Sequence, residues 1–483
     1  MLEAPMLIDN ADVAATGGAT FDRLNPITGK VATRAAAASV EDAVKAANAA
    51  AAAFPGWSAT SPEARRTVLN KAAELILARA PDFIKAMAEE TGATEGWAGF
   101  NCYLASNMLR EAAGMTTQIT GEIIPSNKPG SIAMAVRQPA GVVFSIAPWN
   151  APVILGVRGI AMPLACGNTV ILKGSELCPM THRLIGEVLR DAGLPAGALN
   201  IVLNAPKDAA AVVEALIAHS AVRRITFTGS TRVGRVIAAV GAKYLKPCLL
   251  ELGGKAPFVV LDDADLDEAV KAAAFGAFFN QGQICMSTER IIVDSKVADE
   301  FVKKLAAKAV SLKAGLPGEQ GCALGSMIGA DAAARVKSLV DDSVSKGASL
   351  LVGGAVNGSI MAATVVDHVT PAMRLYSEES FGPVAAIMRF ASIDEALALA
   401  NDTEYGLAAA VFGKDVTRAL SVARRIESGI CHINGPTVHD EAQMPFGGVK
   451  SSGYGRFGGK AAISEFTELR WITIQTEPQH YPI

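Results

Sequence analysis

Short apolar strands alternate with helices from residue 141 onward, and this alternation constrains the fold more than any other feature. The predicted strands cover residues 142–147, 169–173, 200–203, 224–228 and 248–251. The predicted helices between them cover residues 179–191, 207–219 and 231–240. Because strand–helix–strand connections place helices over a parallel sheet, the pattern predicts an α/β fold with a doubly wound parallel sheet.

The same alternation resumes after residue 256. Further strands are predicted near 257–261, 290–293, 385–390, 408–412 and 430–433. A chain of 483 residues also exceeds the size of about 250–300 residues at which one core stops growing. We therefore expect a second α/β domain to begin just after Glu251. Helices are predicted upstream, over 40–53 and 62–90.

Composition excludes several classes of partner and site. The net charge of -3 gives no reason to expect nucleic acid or an acidic membrane as a partner. Seven widely spaced cysteines without a C-x-x-C pair predict neither a disulfide framework nor a zinc site, and they favour a reducing cytoplasm. The six histidines form no metal-binding pair, so we expect no metal. We also expect no signal peptide, and prolines interrupt the most apolar region, 142–172.

Cys285 is the candidate nucleophile. It follows Asn280-Gln281-Gly282-Gln283-Ile284, so polar and small residues surround it, whereas the other six cysteines lie mostly among apolar residues. A cysteine is often a buried, inert small residue, and we accept that interpretation for those six. A thiol has a pKa of about 8.5, so a nucleophilic Cys285 needs help from its surroundings.

Two further segments carry groups that complete acyl chemistry. Pro148-Trp149-Asn150 supplies an amide that can stabilise an oxyanion. Glu251-Leu252-Gly253-Gly254-Lys255 supplies a carboxylate that can activate water. Taken alone, Glu251 is also compatible with a charge at a strand end beside Lys255.

Two loops are candidates for binding a phosphate and a ribose. Gly229 and Gly234 follow a strand and open a helix, whose free N–H groups favour a phosphate. The spacing is not G-x-G-x-x-G and also suits a tight turn. Lys173-Gly174-Ser175-Glu176 follows another strand, where ligands bind in such sheets, but it also suits a solvated loop.

Together, Pro148-Trp149-Asn150, Phe227-Thr228-Gly229-Ser230, the segment after Glu251 and the segment before Cys285 resemble the NAD(P)-dependent aldehyde dehydrogenase superfamily. The resemblance covers nearly the whole chain. It implies that Cys285 attacks an aldehyde, that Asn150 and the Cys285 N–H hold the oxyanion, and that Glu251 activates the hydrolytic water. It also suggests Glu468 as a possible proton relay.

The resemblance also implies a cofactor site. Glu176 is expected to accept from a ribose 2′-hydroxyl and to repel a 2′-phosphate, which favours NAD over NADP. Glu379 and Phe381 belong to a segment that closes over the nicotinamide half. The expected cofactor-binding residues are Trp149, Lys173, Glu176, Gly229, Ser230, Gly234, Leu252, Glu379 and Phe381.

Arg158 is the candidate specificity residue. It lies eight residues, about two helical turns, after Asn150, so both share one face. Many relatives carry an aromatic residue there, and a guanidinium in an apolar funnel suggests a polar substituent on the substrate. A salt bridge to a nearby helix is the alternative. The other expected substrate-binding residues are Trp97, Tyr103, Ala151, Ile284, Thr437 and His439.

The runs Cys285-Met286-Ser287-Thr288-Glu289-Arg290 and His439-Asp440-Glu441-Ala442-Gln443 resemble bacterial dehydrogenases of hydroxylated benzaldehydes, the vanillin type most closely. The implied substrate is a small aromatic aldehyde. Three alternatives stay open: an aliphatic aldehyde or semialdehyde as substrate, acyl transfer to coenzyme A, and a non-catalytic binding protein of the same fold. The carboxylate of Glu251 argues against acyl transfer to coenzyme A.

The resemblance also implies an organisation into three parts. Residues 1–116 and 140–252 are expected to form an NAD-binding domain, and residues 253–460 a catalytic domain. Residues 117–139 and 461–483 are expected to form a β element through which the chain forms a homodimer or tetramer. The sequence itself shows only a strand-like tail, residues 469–475, without a partner.

Overall fold

The structure is a computed structural model that describes every residue from 1 to 483. Its strands are β1 (Leu2–Ala4), β2 (Met6–Ile8), β3 (Ala11–Val13), β4 (Thr20–Leu24), β5 (Val31–Ala36), β6 (Glu122–Ile124), β7 (Ser131–Pro139), β8 (Val142–Ile146), β9 (Thr169–Lys173), β10 (Leu199–Val202), β11 (Val222–Thr228), β12 (Cys248–Glu251), β13 (Ala256–Val260), β14 (Thr288–Asp294), β15 (Ser349–Val352), β16 (Val356–Asn357), β17 (Ile360–Met361), β18 (Thr364–Asp367), β19 (Val384–Phe390), β20 (Ala408–Phe412), β21 (Ile430–Ile433), β22 (Gly453–Tyr454) and β23 (Thr467–Gln475).

Helices connect and cover these strands. They are α1 (Val40–Ser58), α2 (Pro62–Ala78), α3 (Ala80–Thr91), α4 (Glu95–Met115), α5 (Pro152–Ala165), α6 (Pro179–Asp191), α7 (Ala209–Ala218), α8 (Thr231–Lys243), α9 (Leu266–Phe278), α10 (Ala298–Val310), α11 (Ala330–Ser345), α12 (Arg374–Ser377), α13 (Ile393–Asn401), α14 (Val416–Ala423) and α15 (Ala461–Glu465). None of them has both the length and the apolar composition needed to cross a membrane.

Eight strands form the first sheet, in the order β22-β12-β11-β8-β9-β10-β2-β3. The five strands from β12 to β10 run parallel, and the outer strands are antiparallel to their neighbours. Phe144 and Ile171 pack with α1 and α7 on one face, whereas Val143 and Val170 pack with α5 and α6 on the other. The predicted doubly wound α/β fold is confirmed.

Seven strands form the second sheet, in the order β15-β18-β19-β14-β13-β20-β21. All are parallel except β15. Phe258 packs with α9 and α10 on one face, and Val259 packs with α13 and α14 on the other. The strands are continuous apolar runs because helices cover both faces.

The chain passes from the first sheet to the second between β12 and β13, which places the predicted boundary after Glu251 between two sheets. Strand β22 crosses back, because it pairs with β12 although it lies inside the predicted range 253–460. The predicted division into an NAD-binding, a catalytic and an oligomerisation part stays a prediction.

The predicted hairpin and tail meet in a small sheet of order β23-β7-β6. Strand β23 pairs with β7 over nine residues and leaves its other edge unpaired. Large apolar side chains stand in solvent on this sheet: Ile123 is 81% exposed, Leu469 61% and Trp471 78%.

Two helix boundaries differ from the prediction. Helix α1 continues to Ser58 with Pro55 inside it, because Trp57 is buried and its Nε1–H donates to the Leu164 carbonyl at 3.1 Å. The predicted helix over 62–90 is two helices that break at Arg79. Pro81 explains the break, since it has no N–H to donate and favours a first helical turn.

Glu90 joins α3 to the start of α6 and to β5. Its Oε1 accepts from the Met180 N–H at 2.7 Å and from the Thr33 hydroxyl at 2.8 Å. Its Oε2 accepts from the Thr181 N–H at 3.0 Å and from the Thr181 hydroxyl at 2.7 Å. Each carboxylate oxygen therefore faces a backbone donor in a fully buried position.

We expect Glu90→Gln to destabilise the fold, because either orientation of the amide places its NH₂ against a backbone N–H. The cost of one buried unsatisfied donor is about 1–3 kcal/mol of unfolding free energy. Thermal unfolding followed by circular dichroism measures it, with Glu89→Gln at the neighbouring exposed position as control. Equal melting temperatures for both variants would contradict the role given to Glu90.

Candidate active site

A cavity of about 340 Å³ lies at the carboxyl ends of β8, β11 and β12. Residues 148–150, 228–230 and 251–253, which end or follow these strands, line one side. The opposite side is formed by Cys285, Arg335, Glu379 and Phe381. The cavity therefore brings together the thiol, the amide and the carboxylate that the sequence predicts to act together.

Cys285 follows a 3-10 turn at Phe279–Gly282 whose backbone is left-handed at three consecutive residues. The φ angles are +48° at Asn280, +55° at Gln281 and +67° at Gly282. A Cβ on Gly282 would lie 2.1 Å from the Gly382 carbonyl oxygen, so this position requires glycine. Strain of this kind is typical of active sites, where the surrounding structure holds it in place.

Side chains on both sides of Cys285 fix its loop. The Ser287 hydroxyl donates to the Gly282 carbonyl at 2.9 Å, and the Thr437 hydroxyl donates to the Met286 carbonyl at 2.7 Å. Thr437 is fully buried and also bonds the Thr288 hydroxyl at 2.8 Å. The expectation that Thr437 contacts substrate is corrected: both its bonds are to the nucleophile loop and β14.

Gly254 lets the end of β12 lie against the nucleophile loop. A Cβ at this residue would stand 2.2 Å from the Cys285 carbonyl oxygen. A Cβ on Gly253 would stand 2.8 Å from Glu379 Oε2. The two glycines after Glu251 thus allow three segments to meet around one cavity.

Glu251 ends β12 and is 1% exposed, and neither of its carboxylate oxygens has a hydrogen-bond partner. Burial raises the pKa of Glu251 to about 7, although the nearby Cys285 thiol and Arg158 charge lower it. A carboxylate with this pKa is well suited to accept a proton near neutral pH. Lys255 does not neutralise it, because its ammonium is paired with Glu289 at 2.5 Å.

The Cys285 side chain is partly exposed because it lines the main cavity. Burial, and next the Glu251 charge, raise the pKa of the Cys285 thiol well above its usual value. The resting thiol is therefore protonated at neutral pH, and the nearby Glu251 charge opposes its ionisation.

Asn150 presents a free amide donor. One N–H of its side chain donates to the Gln283 carbonyl at 3.0 Å, which leaves the second N–H without a partner in the chain. The backbone N–H of Cys285 likewise makes no hydrogen bond in the chain. Two unpaired donors close to the thiol are what a developing oxyanion requires.

Trp97 positions Asn150. The indole Nε1–H donates to the Asn150 carbonyl at 2.9 Å, and Asn280 Nδ2 donates to the same oxygen at 3.1 Å. The ring of Trp97 packs edge-on against Phe279, with centroids 5.0 Å apart. Trp97 is only 3% exposed and holds the backbone of the oxyanion residue, and its expected place in the substrate wall stays a prediction.

The loop after β9 lies beside the cavity, at the same edge of the sheet. Lys173 is 5% exposed, and its ammonium contacts Glu176 Oε2 at 3.2 Å. Burial alone would raise the pKa of Glu176, but the Lys173 charge holds it below its ordinary value. The Glu176 carboxyl is therefore ionised at neutral pH, close to the carboxyl end of the sheet.

The helix α8 begins at the cavity. Ser230 is its N-cap and accepts from the Val233 N–H at 3.4 Å. The Gly229 N–H donates to the Glu251 carbonyl at 3.0 Å, so this turn is fixed to the end of β12. Gly234 lies inside α8 and packs against the Leu252 side chain.

The segment 378–383 covers the cavity from the second sheet. Glu379 Oε1 accepts from the Gly254 N–H at 2.9 Å, and burial, with the nearby Glu289 charge, raises the pKa of Glu379 to about 8. The ring of Phe381 packs edge-on against Trp149, with centroids 5.7 Å apart.

Two residues that hold this segment were not predicted. Glu289 accepts from the N–H groups of Ser380 and Phe381 at 2.8 and 2.9 Å, and Arg335 donates to the Glu379 carbonyl at 2.7 Å. Glu289 is a charged residue in β14 next to the apolar run 291–293, and such a charge in a buried strand indicates an ion pair. The local sequence of Arg335, on an amphipathic helix, carries no comparable signal.

Arg158 is 6% exposed and forms an ion pair with Asp440. Its guanidinium also lies 4.0 Å from the centre of the Phe446 ring. The alternative of a salt bridge is confirmed, but its partner lies in a loop and not on a helix. Asp440 is the single hydrogen-bond partner of Arg158, so other guanidinium N–H groups stay free in a narrow cavity of about 20 Å³.

An outer cavity of about 390 Å³ lies next to this narrow one and shares Asp440 with it. Phe100 and Tyr103 of α4 line the outer cavity, and Tyr103 is 58% exposed. The path from solvent past Tyr103 and Asp440 to Arg158 is the structural candidate for a substrate entrance.

The other expected substrate residues lie in two places. Ala151 and Ile284 are buried, at 6% and 5% exposure, beside Asn150 and Cys285 in the chain. His439 lines neither cavity: its ring stacks on His432 with centroids 4.8 Å apart, and its Nε2 contacts Glu441 at 2.9 Å.

Glu468 lies away from the cavity. It sits on β23 opposite Gln138, and its half-exposed carboxylate is paired with Arg224 at 2.7 Å. Arg224 is near the start of β11, whereas Glu251 is paired with Thr228 at the other end of that strand. The suggested proton relay is therefore corrected, because Glu468 holds β23 to β11.

Comparison with known proteins agrees with this geometry. The model of the aldehyde dehydrogenase family matches residues 13–472. The chain is 62% identical to a vanillin dehydrogenase of Pseudomonas fluorescens and 50% identical to a salicylaldehyde dehydrogenase of Pseudomonas sp. (strain C18), each over 100% of both chains. The crystal structure of a salicylaldehyde dehydrogenase from Pseudomonas putida G7 complexed with salicylaldehyde covers 100% of both chains, with a TM-score of 0.98 and 48% identity.

We expect Glu251→Gln to speed alkylation of Cys285 by iodoacetamide at pH 7. The substitution removes a negative charge that raises the pKa of the thiol, so more thiolate is present. A decrease of about one pKa unit gives about tenfold faster labelling. Mass spectrometry of the labelled peptides measures the rate, with Cys285→Ser to identify the site and Glu404→Gln, outside the cavity, as the charge control. Unchanged or slower labelling would show that the Glu251 charge does not act on the thiol.

Proposed function

The chain belongs to the aldehyde dehydrogenase family, and we propose that it oxidises aromatic aldehydes with a ring hydroxyl, such as vanillin, to carboxylic acids with NAD⁺ as oxidant. It is an oxidoreductase that acts on aldehydes. The observation that carries the proposal is the meeting of Cys285, Asn150 and Glu251 in one cavity next to Arg158. The names of the relatives at 62% and 50% identity support the aromatic substrate.

The chain's own residues perform the acyl chemistry. The Cys285 thiol releases its proton to solvent, and its Sγ forms a bond to the aldehyde carbon. The free N–H of Asn150 and the Cys285 backbone N–H donate to the oxygen that becomes charged. NAD⁺, when bound, supplies the acceptor for the two electrons. Glu251 then accepts a proton from the water that hydrolyses the Cys285 thioester and releases the acid.

The pKa of Glu251, about 7, sets the pH dependence of hydrolysis. Above this pH the carboxylate is ionised and can accept a proton from water. As the pH falls through about 7, Glu251 becomes protonated and hydrolysis slows. The rate should therefore increase with pH across the neutral range.

The donors and acceptors around the main cavity fit a dinucleotide. The first turn of α8 offers backbone N–H groups to a pyrophosphate, and Ser230 occupies only one of them. Glu176 and Glu379 offer carboxyl oxygens that can accept from ribose hydroxyls, and the buried Lys173 side chain lies beside Glu176. We propose NAD and not NADP, because the Glu176 carboxylate is next to the expected 2′-hydroxyl and repels a phosphate there.

We expect the wild-type enzyme to prefer NAD over NADP and Glu176→Gln to reduce this preference by about tenfold, or about 1.4 kcal/mol. The reason is the removal of a like charge from the 2′ position. The ratio of kcat/KM for the two cofactors measures the effect, with Glu74→Gln on α2 as an exposed control. A wild-type enzyme that uses both cofactors equally would refute the assignment.

We propose that Arg158 and Asp440 recognise the ring hydroxyl. The pair is nearly excluded from solvent, with 5% and 9% side-chain exposure, and it lines the narrow cavity next to the outer one. The Arg158 charge also acts on the Cys285 thiol. A hydroxyl there meets a donor in the guanidinium and an acceptor in the carboxylate. The Phe446 ring against Arg158 adds an apolar surface for the aromatic ring.

NADH formation tests the substrate class across vanillin, 4-hydroxybenzaldehyde, salicylaldehyde, benzaldehyde and a short aliphatic aldehyde. We expect the highest kcat/KM for the hydroxylated rings. The double variant Arg158→Leu with Asp440→Leu removes both charges, so no unpaired charge is left buried. It should lower kcat/KM for 4-hydroxybenzaldehyde at least about tenfold more than for benzaldehyde, a difference of about 1.4 kcal/mol.

Two results would reject this substrate assignment. The first is that the aliphatic aldehyde gives the highest kcat/KM. This result would favour an aliphatic substrate, while the proposed chemistry of Cys285 and Glu251 would still hold. The second is an equal loss on benzaldehyde and 4-hydroxybenzaldehyde in the double variant, which would leave the pair without a role in recognising the hydroxyl.

We also propose that the chain associates with itself through the small sheet. The free edge of β23 and the exposed side chains of Leu469 and Trp471 would form a long unprotected edge in a monomer. A second copy that pairs along β23 covers both.

We expect Trp471→Ser to weaken this association, because it removes the largest exposed apolar side chain on β23. Sedimentation velocity across a range of protein concentrations measures the mass, with Arg470→Ser at the adjacent exposed position as control. A monomeric wild-type protein, or equal mass distributions for both variants, would contradict the proposal.

A further inference from the structure

His182 lies between the loop after β9 and helix α5. It lies in α6 and is fully buried. Its Nδ1 accepts from the Ser175 N–H at 3.0 Å, and its Nε2 has no hydrogen-bond partner. An unpaired polar atom in a fully buried side chain is uncommon and requires a reason.

His182 is neutral at physiological pH. Burial, and next the Lys173 charge, lower its pKa to about 3, while the Pro152 carbonyl opposes part of this change. Since Nδ1 accepts a hydrogen bond, the single ring proton is assigned to Nε2. His182 therefore offers one acceptor to the loop after β9 and one unused donor on the side of Pro152.

The imidazole is packed tightly between these two elements. A Cβ on Gly174 would lie 3.1 Å from the His182 Cβ, and a Cβ on Gly156 would lie 3.1 Å from His182 Cδ2. Gly174 belongs to the loop that carries Lys173 and Glu176. Gly156 belongs to the second turn of α5, which begins two residues after Asn150.

We propose that His182 is a positioning residue that joins the cofactor loop to the oxyanion helix. Through Nδ1 it fixes the loop in the conformation that places Lys173 and Glu176 toward a ribose. Its Nε2–H faces the Pro152 carbonyl, and the packing of the ring against Gly156 fixes α5 and with it Asn150. This inference rests on the proposed use of a dinucleotide at this loop.

Three substitutions separate the two halves of the proposal. Asn in place of His182 can keep an acceptor near the position of Nδ1, and Gln can keep a donor near the position of Nε2. Leu keeps neither. Because the two glycines leave little space around the ring, these residues of similar or smaller size suit the site.

Titration calorimetry with NAD⁺ measures the dissociation constant of each variant, and steady-state kinetics with 4-hydroxybenzaldehyde measures kcat. We expect His182→Gln to weaken NAD⁺ binding about tenfold, the equivalent of about 1.4 kcal/mol. We expect His182→Asn to bind NAD⁺ within about twofold of wild type but to lower kcat several-fold. His182→Leu should show both losses.

Thermal unfolding of each variant separates positioning from simple destabilisation. The proposal is overturned if His182→Leu binds NAD⁺ and turns over like wild type. It is equally overturned if both the dissociation constant and kcat follow the loss of melting temperature in all three variants. A wild-type protein that binds no NAD⁺ would instead reject the proposed function, so the two failures are distinguishable.

Discussion

The close approach of two loop backbones is the constraint on which the active site depends. The Cys285 carbonyl lies where a Cβ of residue 254 would stand, and the Gly382 carbonyl lies where a Cβ of residue 282 would stand. A larger residue at position 254 must separate the end of β12 from the nucleophile loop, and one at position 282 must separate that loop from the segment 378–383. Since one loop follows the first sheet and the other enters the second, these contacts also hold the two sheets together at the cavity.

This proximity explains the protonation states of the reacting groups. Glu251 and Cys285 share one desolvated space, and burial dominates the pKa of both. A buried carboxylate without a hydrogen-bond partner is costly in an inert protein, but it is suited to a base that must accept a proton near pH 7. A Lys255 ammonium next to Glu251 would lower the pKa of this carboxyl. The ammonium is instead paired with Glu289.

Local motifs predicted which residues meet in the cavity, because the glycines that enforce the contacts lie next to them in sequence. Contacts between distant segments were not predictable in the same way. The partner of Arg158 is Asp440, 282 residues later, and Thr437 holds a loop 151 residues earlier. Trp57 extends α1 past Pro55 through a bond to Leu164, which local helix signals do not contain.

The most direct test of the central claim is the mass of the protein trapped in the middle of the reaction. Glu251→Gln is mixed with NAD⁺ and 4-hydroxybenzaldehyde, digested and analysed by mass spectrometry. Since the thiol can still react but water lacks its base, the account predicts that one acyl group accumulates on the Cys285 peptide. Hydrolysis by this variant at the wild-type rate, or an acyl group on another residue, would contradict the pairing of Cys285 as nucleophile with Glu251 as base.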